Sequence, residues 1–279
     1  MDFIDTHLHL IYREKLGYAW TAGIPPLATG DFTLADYAAL TSEHGVAGAL
    51  FMEAGVDDAD YQAEARFVAG LVGENGLLGQ IASCRPEEDA GFDDWLDECS
   101  GLHVHGFRRI LHVMPDELSQ TPAFRRNLAK IGALRLAFDV CMLARQLPIA
   151  LDLARACPDQ MLVLDHCGVP DIAGGGFEPW AADITALAAL PHVNVKLSGI
   201  SAYCAPGKAN LATLQPWVDH ILNTFGPERT LWGGDWPVVN LGAGLPGWIT
   251  LSRNLLSGLT SAEQAQIASG TARKVYRLS

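Results

Sequence analysis

The stretch that decides the fold is the first ten residues, Met1-Asp2-Phe3-Ile4-Asp5-Thr6-His7-Leu8-His9-Leu10. Phe3 and Ile4, with the alternation that follows them, predict a short buried strand. Because side chains two residues apart on a strand point the same way, Asp5, His7 and His9 are expected to share one face. The Cα atoms of the two histidines would lie about 6–7 Å apart, close enough for both imidazoles to bind one zinc-like ion. The alternative is a pair of polar residues where the strand frays into a loop.

Strands and helices alternate regularly along the rest of the chain. Apolar runs predict eight strands: Phe3–Thr6, Val46–Met52, Leu78–Ala82, Val104–Leu111, Leu136–Cys141, Met161–Leu164, Val193–Leu197 and Thr230–Trp232. A helical pattern follows each strand, and such alternation predicts a parallel sheet. Eight such units fit a single α/β domain over residues 1–279, closed as a (β/α)8 TIM barrel. The rival is an open doubly wound sheet, which is disfavoured because no Gly-x-Gly-x-x-Gly follows an early strand.

Composition and charge limit the classes of function. The chain has 279 residues, of which 49% are hydrophobic and 18% are charged, enough for a large core. Its 19 basic and 32 acidic residues give a net charge of −13 and a pI of about 5.0. Since no basic run or basic-aromatic stripe occurs, nucleic acid and anionic membranes are not expected as partners. A small molecule is the expected partner, and homo-oligomers stay open.

The cysteines and the N-terminal sequence favour a reducing compartment. The six cysteines are scattered through apolar segments and form no Cys-x-x-Cys pair, as is typical of buried free thiols. The N-terminal sequence runs straight into a strand without the features of a signal peptide. No apolar run reaches the roughly 18 residues that a membrane helix needs. A cytoplasmic location is therefore expected.

Ionisable residues follow almost every predicted strand at its C-terminal end, where barrel enzymes keep their active sites. They are His7 and His9 for strand 1, Glu53 for strand 2, Arg108, Arg109 and His112 for strand 4, Asp139 for strand 5, Asp165 and His166 for strand 6, Lys196 for strand 7 and Asp235 for strand 8. Structural roles stay open for some of them: a helix cap for Asp235, a solvated loop position for Glu53, and a carboxylate partner for Lys196. Because Arg108 and Arg109 are adjacent on a strand, only one of them is expected to face the rim.

Four motifs occur in an order that resembles a known family. They are Asp5-Thr6-His7-Leu8-His9, Leu164-Asp165-His166-Cys167-Gly168, Asn194-Val195-Lys196-Leu197-Ser198-Gly199 and Trp232-Gly233-Gly234-Asp235-Trp236-Pro237. Together they resemble the amidohydrolase superfamily, in its branch of sugar and aromatic-acid lactonases. The resemblance spans the chain as far as its closing helix at residues 268–276. It implies a (β/α)8 barrel that hydrolyses carboxylic esters.

The resemblance also implies roles for the matched residues. His7 and His9 correspond to the metal-binding pair on strand 1, His166 to the strand-6 histidine, and Asp235 to the strand-8 aspartate that binds metal and carries a proton. Members with two metals have a lysine or glutamate on strand 4 and a histidine on strand 5, where this chain has arginines and an aspartate. One divalent ion, zinc first, is therefore expected, with Glu53 as a further ligand. Some lactonases of this branch hold no metal tightly, so a metal-independent enzyme is the alternative.

Hydrolysis of a lactone is the predicted function. The resemblance implies a sugar aldonolactone such as L-fucono-1,5-lactone, and hence a place in carbohydrate metabolism. Asp235 would act as general base on a metal-activated water, and His166, or the ion itself, would polarise the carbonyl. The residues expected to hold the substrate are Arg109, His112, Trp20 and Lys196.

Two alternatives compete with the lactonase. A decarboxylase, or another hydrolase or isomerase of the superfamily, would use the same histidines on an aromatic or sugar acid, and decarboxylation would need carboxylate clamps beside a ring pocket. A non-catalytic ligand-binding barrel is a different class, and the presence of all four matched groups disfavours it.

Overall fold

Eight parallel strands form the barrel wall in the computed structural model, which describes residues 1–279. The strands are β1 Phe3–Leu8, β2 Val46–Met52, β3 Leu77–Ser83, β4 Val104–Ile110, β5 Ala137–Cys141, β6 Leu162–Leu164, β7 Val193–Leu197 and β8 Thr230–Trp232. They pair in chain order from β1 to β8, and every pair is parallel. The predicted (β/α)8 barrel is confirmed.

The residues that follow β8 close the barrel against β1. The backbone N–H of His9 donates to Trp236 O at 2.8 Å, and that of Asp235 donates to His7 O at 2.8 Å. Leu8 and Trp236 form a parallel bridge between these two bonds. Backbone hydrogen bonds alone therefore bring Asp235 beside both histidines of β1.

Helices cover the outside of the barrel. They are α1 Leu34–Thr41, α2 Tyr61–Ala69, α3 Phe92–Cys99, α4 Pro122–Ala133, α5 Leu147–Ala156, α6 Phe177–Ala188, α7 Leu211–Phe225, α8 Leu245–Leu255, α9 Ser261–Ala265 and α10 Thr271–Val275. Thr33 caps α1 through a reciprocal pair of hydrogen bonds with Asp36, which satisfies two backbone N–H groups at the start of the helix. None of these helices combines the length and the apolar character that crossing a bilayer requires.

The barrel interior is layered. A cluster of ten buried residues fills its N-terminal end, and it includes Ile4, Leu50 and Leu231 from the strands and Tyr276 from the C-terminal segment. The next layer is ionic: Lys196 Nζ lies 2.5 Å from Asp139 Oδ1, and the Tyr276 hydroxyl donates to the same oxygen at 2.7 Å. These two layers fill the barrel interior below the C-terminal ends of the strands.

β1 departs from regular alternation near its end. Its pairing with β2 shifts between Asp5 and Leu8. Asp5 points toward the helices, where it accepts a hydrogen bond from the Tyr37 hydroxyl at 2.8 Å, whereas His7 points into the barrel. The expectation that Asp5 shares a face with His7 and His9 is therefore wrong, because the irregularity breaks the two-residue period.

Candidate active site

A cavity of about 470 Å³ opens at the C-terminal ends of the strands. The side chains that line it include three imidazoles, one guanidinium and one carboxylate from strands or loops far apart in the chain: His9, Arg108, His112, His166 and Asp235. His7 lies directly beneath, fully buried. The cavity is therefore the place where the chemistry-bearing residues of β1, β4, β6 and β8 meet.

Asp235 lies at the centre of three imidazoles. Its Oδ1 is 3.6 Å from His9 Nε2, 3.8 Å from His7 Nε2 and 4.0 Å from His166 Nε2. Asp235 and His166 both have left-handed backbones, with φ of +55° and +53°. Such a conformation costs a non-glycine residue about 1–3 kcal/mol and is concentrated at functional sites. The fold thus holds both side chains in place at the expense of local strain.

Glycine and a buried carboxylate position this backbone. Gly199 has φ of +68°, and a Cβ there would lie 2.5 Å from His166 Nδ1 and 2.8 Å from Asp235 Oδ2, so no other residue fits. Asp5 Oδ1 accepts hydrogen bonds from Gly234 N at 2.7 Å and from His7 N at 2.9 Å. Asp5 therefore joins the two segments that carry His7 and Asp235.

Neighbouring groups fix which nitrogen of each β1 histidine carries the proton. His9 Nδ1 lies 2.9 Å from Met52 O; a carbonyl only accepts, so Nδ1 carries a proton, and in the neutral tautomer the lone pair is on Nε2. His7 Nε2 lies 3.2 Å from Arg108 Nη1; a guanidinium only donates, so this nitrogen also keeps its lone pair. Burial lowers the pKa of His7 well below its ordinary value, which keeps the ring neutral. In its neutral form each of the two rings therefore has its lone pair on the Nε2 that faces Asp235.

This donor set fits a divalent metal ion. His7, His9 and Asp235 each place one ligand atom within 4.8 Å of the others, and all three are buried. Asp235 Oδ2 is buried without a hydrogen-bond partner, and buried carboxylate oxygens are rarely left so. Two imidazoles and a carboxylate are a common ligand set for zinc. A second set, His7, Asp165 and His166, fits less well because two cations already hold Asp165.

Arg108 and Glu53 form a buried ion pair beside this cluster. Arg108 Nε donates to Glu53 Oε1 at 2.6 Å and Nη2 donates to Glu53 O at 2.6 Å. Burial by itself lowers the pKa of Arg108, but the carboxylates of Glu53 and Asp165 raise it, so the guanidinium stays charged. The second oxygen of Glu53 accepts from Gly55 N at 2.9 Å. Glu53 is therefore a counterion of Arg108, and the structure does not bring it into either cluster of candidate metal ligands, where the sequence analysis expects it.

Lys196 lies below the cavity and does not line it. Its Nζ is 2.5 Å from Asp139 Oδ1 and 3.2 Å from Asp165 Oδ1, and the side chain is fully buried. Burial by itself raises the pKa of Asp165, but Lys196, His7 and Arg108 outweigh it and hold this pKa well below the ordinary value. The structure therefore places Lys196 in its alternative role as a carboxylate partner and does not bring it to the cavity, where the sequence analysis expects it to hold substrate.

Arg108, not Arg109, is the arginine that reaches the cavity. Arg109 Nη2 lies 2.7 Å from Glu87 Oε1, in a smaller cleft of about 130 Å³ beside the main cavity. The reason is the alternation of β4: Phe107 is fully buried in the core between sheet and helices, so Arg109 points to that side and Arg108 points inward. Phe107 is the sequence signal that would have assigned the two arginines correctly.

His112 and Trp20 both line the cavity, as the sequence predicts. His112 Nδ1 lies 3.2 Å from Cys141 Sγ, and burial together with the Arg108 charge lowers its pKa to about 4. Trp20 lies at the mouth and donates from Nε1 to Ala54 O at 2.9 Å. Sequence reasoning missed Tyr203, which also lines the cavity, because no pattern marks the segment after β7.

His166 is held by a serine from the end of β7. Its Nδ1 lies 2.9 Å from Ser198 Oγ, and burial lowers the pKa of the ring, which is neutral near pH 7. A serine hydroxyl both donates and accepts. This contact leaves His166 Nε2 free on the side of the cavity.

A (β/α)8 barrel with buried histidines at the ends of β1 and β6 and an aspartate after β8 defines an enzyme of the amidohydrolase type. The sequence matches the amidohydrolase family over residues 4–278, and the chain belongs to this family. The family resemblance and the prediction of a hydrolase are thereby confirmed.

Relatives within the family include lactone hydrolases. The chain is 28% identical over 292 residues to an L-fucono-1,5-lactonase of Burkholderia multivorans, covering 99% of this chain and 96% of the relative. It is 26% identical over 244 residues to a 4-sulfomuconolactone hydrolase of Rhizobium radiobacter, covering 84% of this chain and 75% of the relative. A crystal structure of a Burkholderia multivorans amidohydrolase with bound zinc superposes with a TM-score of 0.91 at 27% identity, covering 100% of both chains.

Proposed function

We propose that this protein opens a lactone by hydrolysis, with Asp235 as general base. The observation that carries the proposal is the convergence of Asp235 Oδ1 on three imidazole nitrogens, all within 4.0 Å, at the base of the cavity. Ester hydrolysis needs a group that deprotonates water and a donor that stabilises the oxyanion, and this cluster offers both. The lactonases among the relatives support the same reaction class.

One divalent ion, zinc first, is proposed to bind to His7, His9 and Asp235. When bound, such an ion lowers the pKa of water from about 16 toward about 7 and so supplies a nucleophile at neutral pH. Arg108 Nη1 donates to the lone pair of His7 Nε2 at 3.2 Å. This nitrogen therefore has a hydrogen-bond partner when no metal is bound. The lactonase is therefore proposed to act with a weakly held ion or with none.

Asp235 is suited to accept the proton of the attacking water. Its side chain lines the cavity and its Oδ2 makes no hydrogen bond within the protein, so the carboxylate is available to a water bound in the cavity. Buried acceptors without a protein partner are stabilised when they receive such a proton or hydrogen bond. Once protonated, Asp235 can return the proton to the alkoxide that the ring-opening releases.

His166 is proposed to stabilise the oxyanion. If the Ser198 hydroxyl donates to Nδ1, the proton of the neutral ring is on Nε2, which faces the cavity. A fixed donor at this position acts where charge develops in the transition state, and removal of one such donor typically slows catalysis by about 10²–10³. His112, Trp20 and Arg108 are proposed to contact the rest of the substrate, since they line the same cavity.

L-fucono-1,5-lactone is the first candidate that the named relatives supply. Ring opening releases one acid per turnover, so a pH-stat assay with and without chelator measures it directly. Asp235→Asn is expected to fold normally by circular dichroism and to lose about 10²–10⁴ in kcat. Unchanged kcat in this variant would exclude Asp235 as the base.

The competing decarboxylase reaction needs cationic side chains that hold the carboxylate of the substrate, and this cavity offers few of them. Arg108 is the only lysine or arginine among the lining residues, and four of its five N–H groups are directed at Glu53, Asp165 and His7. A carboxylate substrate would find one remaining N–H on Nη2 instead of a bidentate partner. Release of CO₂ from hydroxybenzoates, measured beside lactone opening, separates the two reactions.

A further inference from the structure

The side chains in the walls of the cavity are mostly apolar, whereas those at its base are polar or charged. We infer that the lactone carries an alkyl or aryl group and few free hydroxyls; this inference rests on the proposed lactonase function. It names the substrate class within that function, and it departs from the fully hydroxylated aldonolactone of the sequence prediction.

The polar side chains of the cavity are confined to the reacting end. His9, His166 and Asp235 belong to the catalytic cluster, and Arg108 is held in place by its buried partners. Beyond them, the polar side-chain groups are the His112 ring, the Tyr203 hydroxyl, the Cys141 thiol and the indole N–H of Trp20. No serine, threonine, asparagine, glutamine or lysine side chain lines this cavity.

Branched aliphatic side chains form the upper wall. They come from five separate segments of the chain: Ile24, Ile110, Leu143, Val169 and Val238. At the mouth, Trp20 and Val113 add apolar surface that is 38% and 73% exposed. The one polar atom of Trp20 is committed to Ala54 O. Large apolar side chains exposed around a cavity are typical of a surface that a ligand covers.

A polyhydroxylated ring fits this wall poorly. Each hydroxyl that leaves water without finding a partner loses its hydrogen bonds and weakens binding. An alkyl or aryl substituent binds this wall more favourably, because each methylene that it buries contributes about 0.8 kcal/mol of binding free energy, or about fourfold in affinity. The wall therefore favours substrates whose part remote from the ester is apolar.

Anionic lactones are disfavoured as well. In the adjoining cleft, Arg85 and Arg109 are already paired with Asp58 and Glu87, each at 2.7 Å. No lysine, and no arginine other than Arg108, lines the cavity to bind a carboxylate or sulfonate, and the chain as a whole carries a net charge of −13. The expected substrate is a neutral lactone.

A panel of six-membered lactones tests the inference with the wild-type enzyme. Its apolar members are δ-decalactone and dihydrocoumarin, its hydroxylated members are L-fucono-1,5-lactone and D-glucono-1,5-lactone, and its anionic member is 2-pyrone-4,6-dicarboxylate. Above the spontaneous rate, kcat/KM is expected to be at least about tenfold higher for the apolar members. Higher values for a hydroxylated or anionic member would overturn the inference and leave the lactonase standing. No opening of any member would refute the lactonase itself.

A substitution in the wall provides a second test. Leu143 precedes the short helical turn that leads into α5, a position where asparagine is favoured, so Leu143→Asn is expected to fold. It should lower the δ-decalactone to D-glucono-1,5-lactone ratio of kcat/KM by about fivefold or more. Leu241→Asn, at a residue 43% exposed and outside the cavity, is the matched control and should leave the ratio unchanged. An unchanged ratio in Leu143→Asn would contradict the role of the wall.

Discussion

Arg108 Nη1 lies 3.2 Å from His7 Nε2, the same nitrogen that faces Asp235 Oδ1 at 3.8 Å. The guanidinium has no lone pair of its own, so it engages the lone pair through which His7 would bind a metal ion. Its charge also repels a second cation: two unit charges about 4 Å apart interact by about 4 kcal/mol at an effective dielectric constant of 20. We therefore expect Arg108 to weaken metal binding at this site.

Removal of this cation should tighten zinc binding. The double variant Glu53→Gln with Arg108→Gln is expected to bind zinc at least about tenfold more tightly than the wild type. Both residues are changed because Arg108→Gln alone would leave Glu53 as an unpaired buried carboxylate and a new potential ligand. Competition with a chromophoric chelator measures the affinity. Arg108→Lys keeps the charge and serves as the control, and equal zinc affinity in all three proteins would contradict the expectation.

The barrel could be predicted from the sequence because its signals are local. Each strand is a short apolar run, and each helix has its own period and ends, so the order of elements follows without long-range information. Parallel pairing then places the C-terminal ends of all strands on one rim, which brings His9, His166 and Asp235 together. These residues follow the ends of β1, β6 and β8 by one to three positions. An error of one or two residues in a predicted strand end therefore does not change the rim on which they are placed.

The depth of a side chain inside the barrel could not be predicted in the same way. Lys196 and Glu53 lie near strand ends, but their partners, Asp139 and Arg108, come from strands 57 and 55 residues away. Whether a charged residue reaches the pocket or pairs below it depends on register and on these partners. The shift in β1 that turns Asp5 outward is likewise a feature of pairing with β2, and no residue in β1 marks it.

Ser198 should matter through the orientation of His166. Ser198→Ala removes the hydroxyl 2.9 Å from His166 Nδ1, so neither the ring nor its proton position stays fixed. Loss of such an orienting group typically costs about 10–100-fold in activity. The loss is expected in kcat with little change in KM, because the oxyanion forms only in the transition state. Steady-state kinetics on the best lactone of the panel measures both constants.

A second buried serine separates this effect from general destabilisation. Ser252 is fully buried in α8 and accepts a hydrogen bond from Trp232 Nε1 at 2.9 Å, away from the cavity. Ser252→Ala deletes the same group and should retain kcat. If both variants lost kcat equally, Ser198 would have no specific role in positioning His166.

His112 should make folding stability depend on pH below neutrality. Its pKa is about 4 in the folded protein, because burial and Arg108 disfavour the charged ring, against 6.5 ordinarily. The unfolded chain therefore binds a proton that the folded protein does not. This stabilisation is complete above about pH 6.5 and is lost as pH falls toward about 4. Urea unfolding of the metal-free protein at several pH values between about 7.5 and 4.5, with linear extrapolation to zero urea, measures how the free energy of unfolding depends on pH.

His112→Gln isolates the contribution of this residue. One proton changes the free energy of unfolding by at most about 1.4 kcal/mol per pH unit, so the variant should show a slope shallower by up to that amount. Burial also lowers the pKa of His7, His166 and His105, so part of the slope will persist. If the free energy of unfolding changed equally with pH in the variant and the wild type, His112 would have the same pKa in the folded and the unfolded protein.

Lys196 should matter for folding far more than for binding substrate. Lys196→Met leaves Asp139 without its cation at 2.5 Å and weakens the neutralisation of Asp165, both fully buried. Removal of one partner of a buried ion pair costs about 3–5 kcal/mol, because the remaining charge is uncompensated. Adding Asp139→Asn should restore part of the loss, since Asp165 keeps Arg108 at 3.3 Å. Chemical unfolding of the three proteins measures this, and a stable Lys196→Met enzyme with a raised KM would instead mean that Lys196 contacts the substrate.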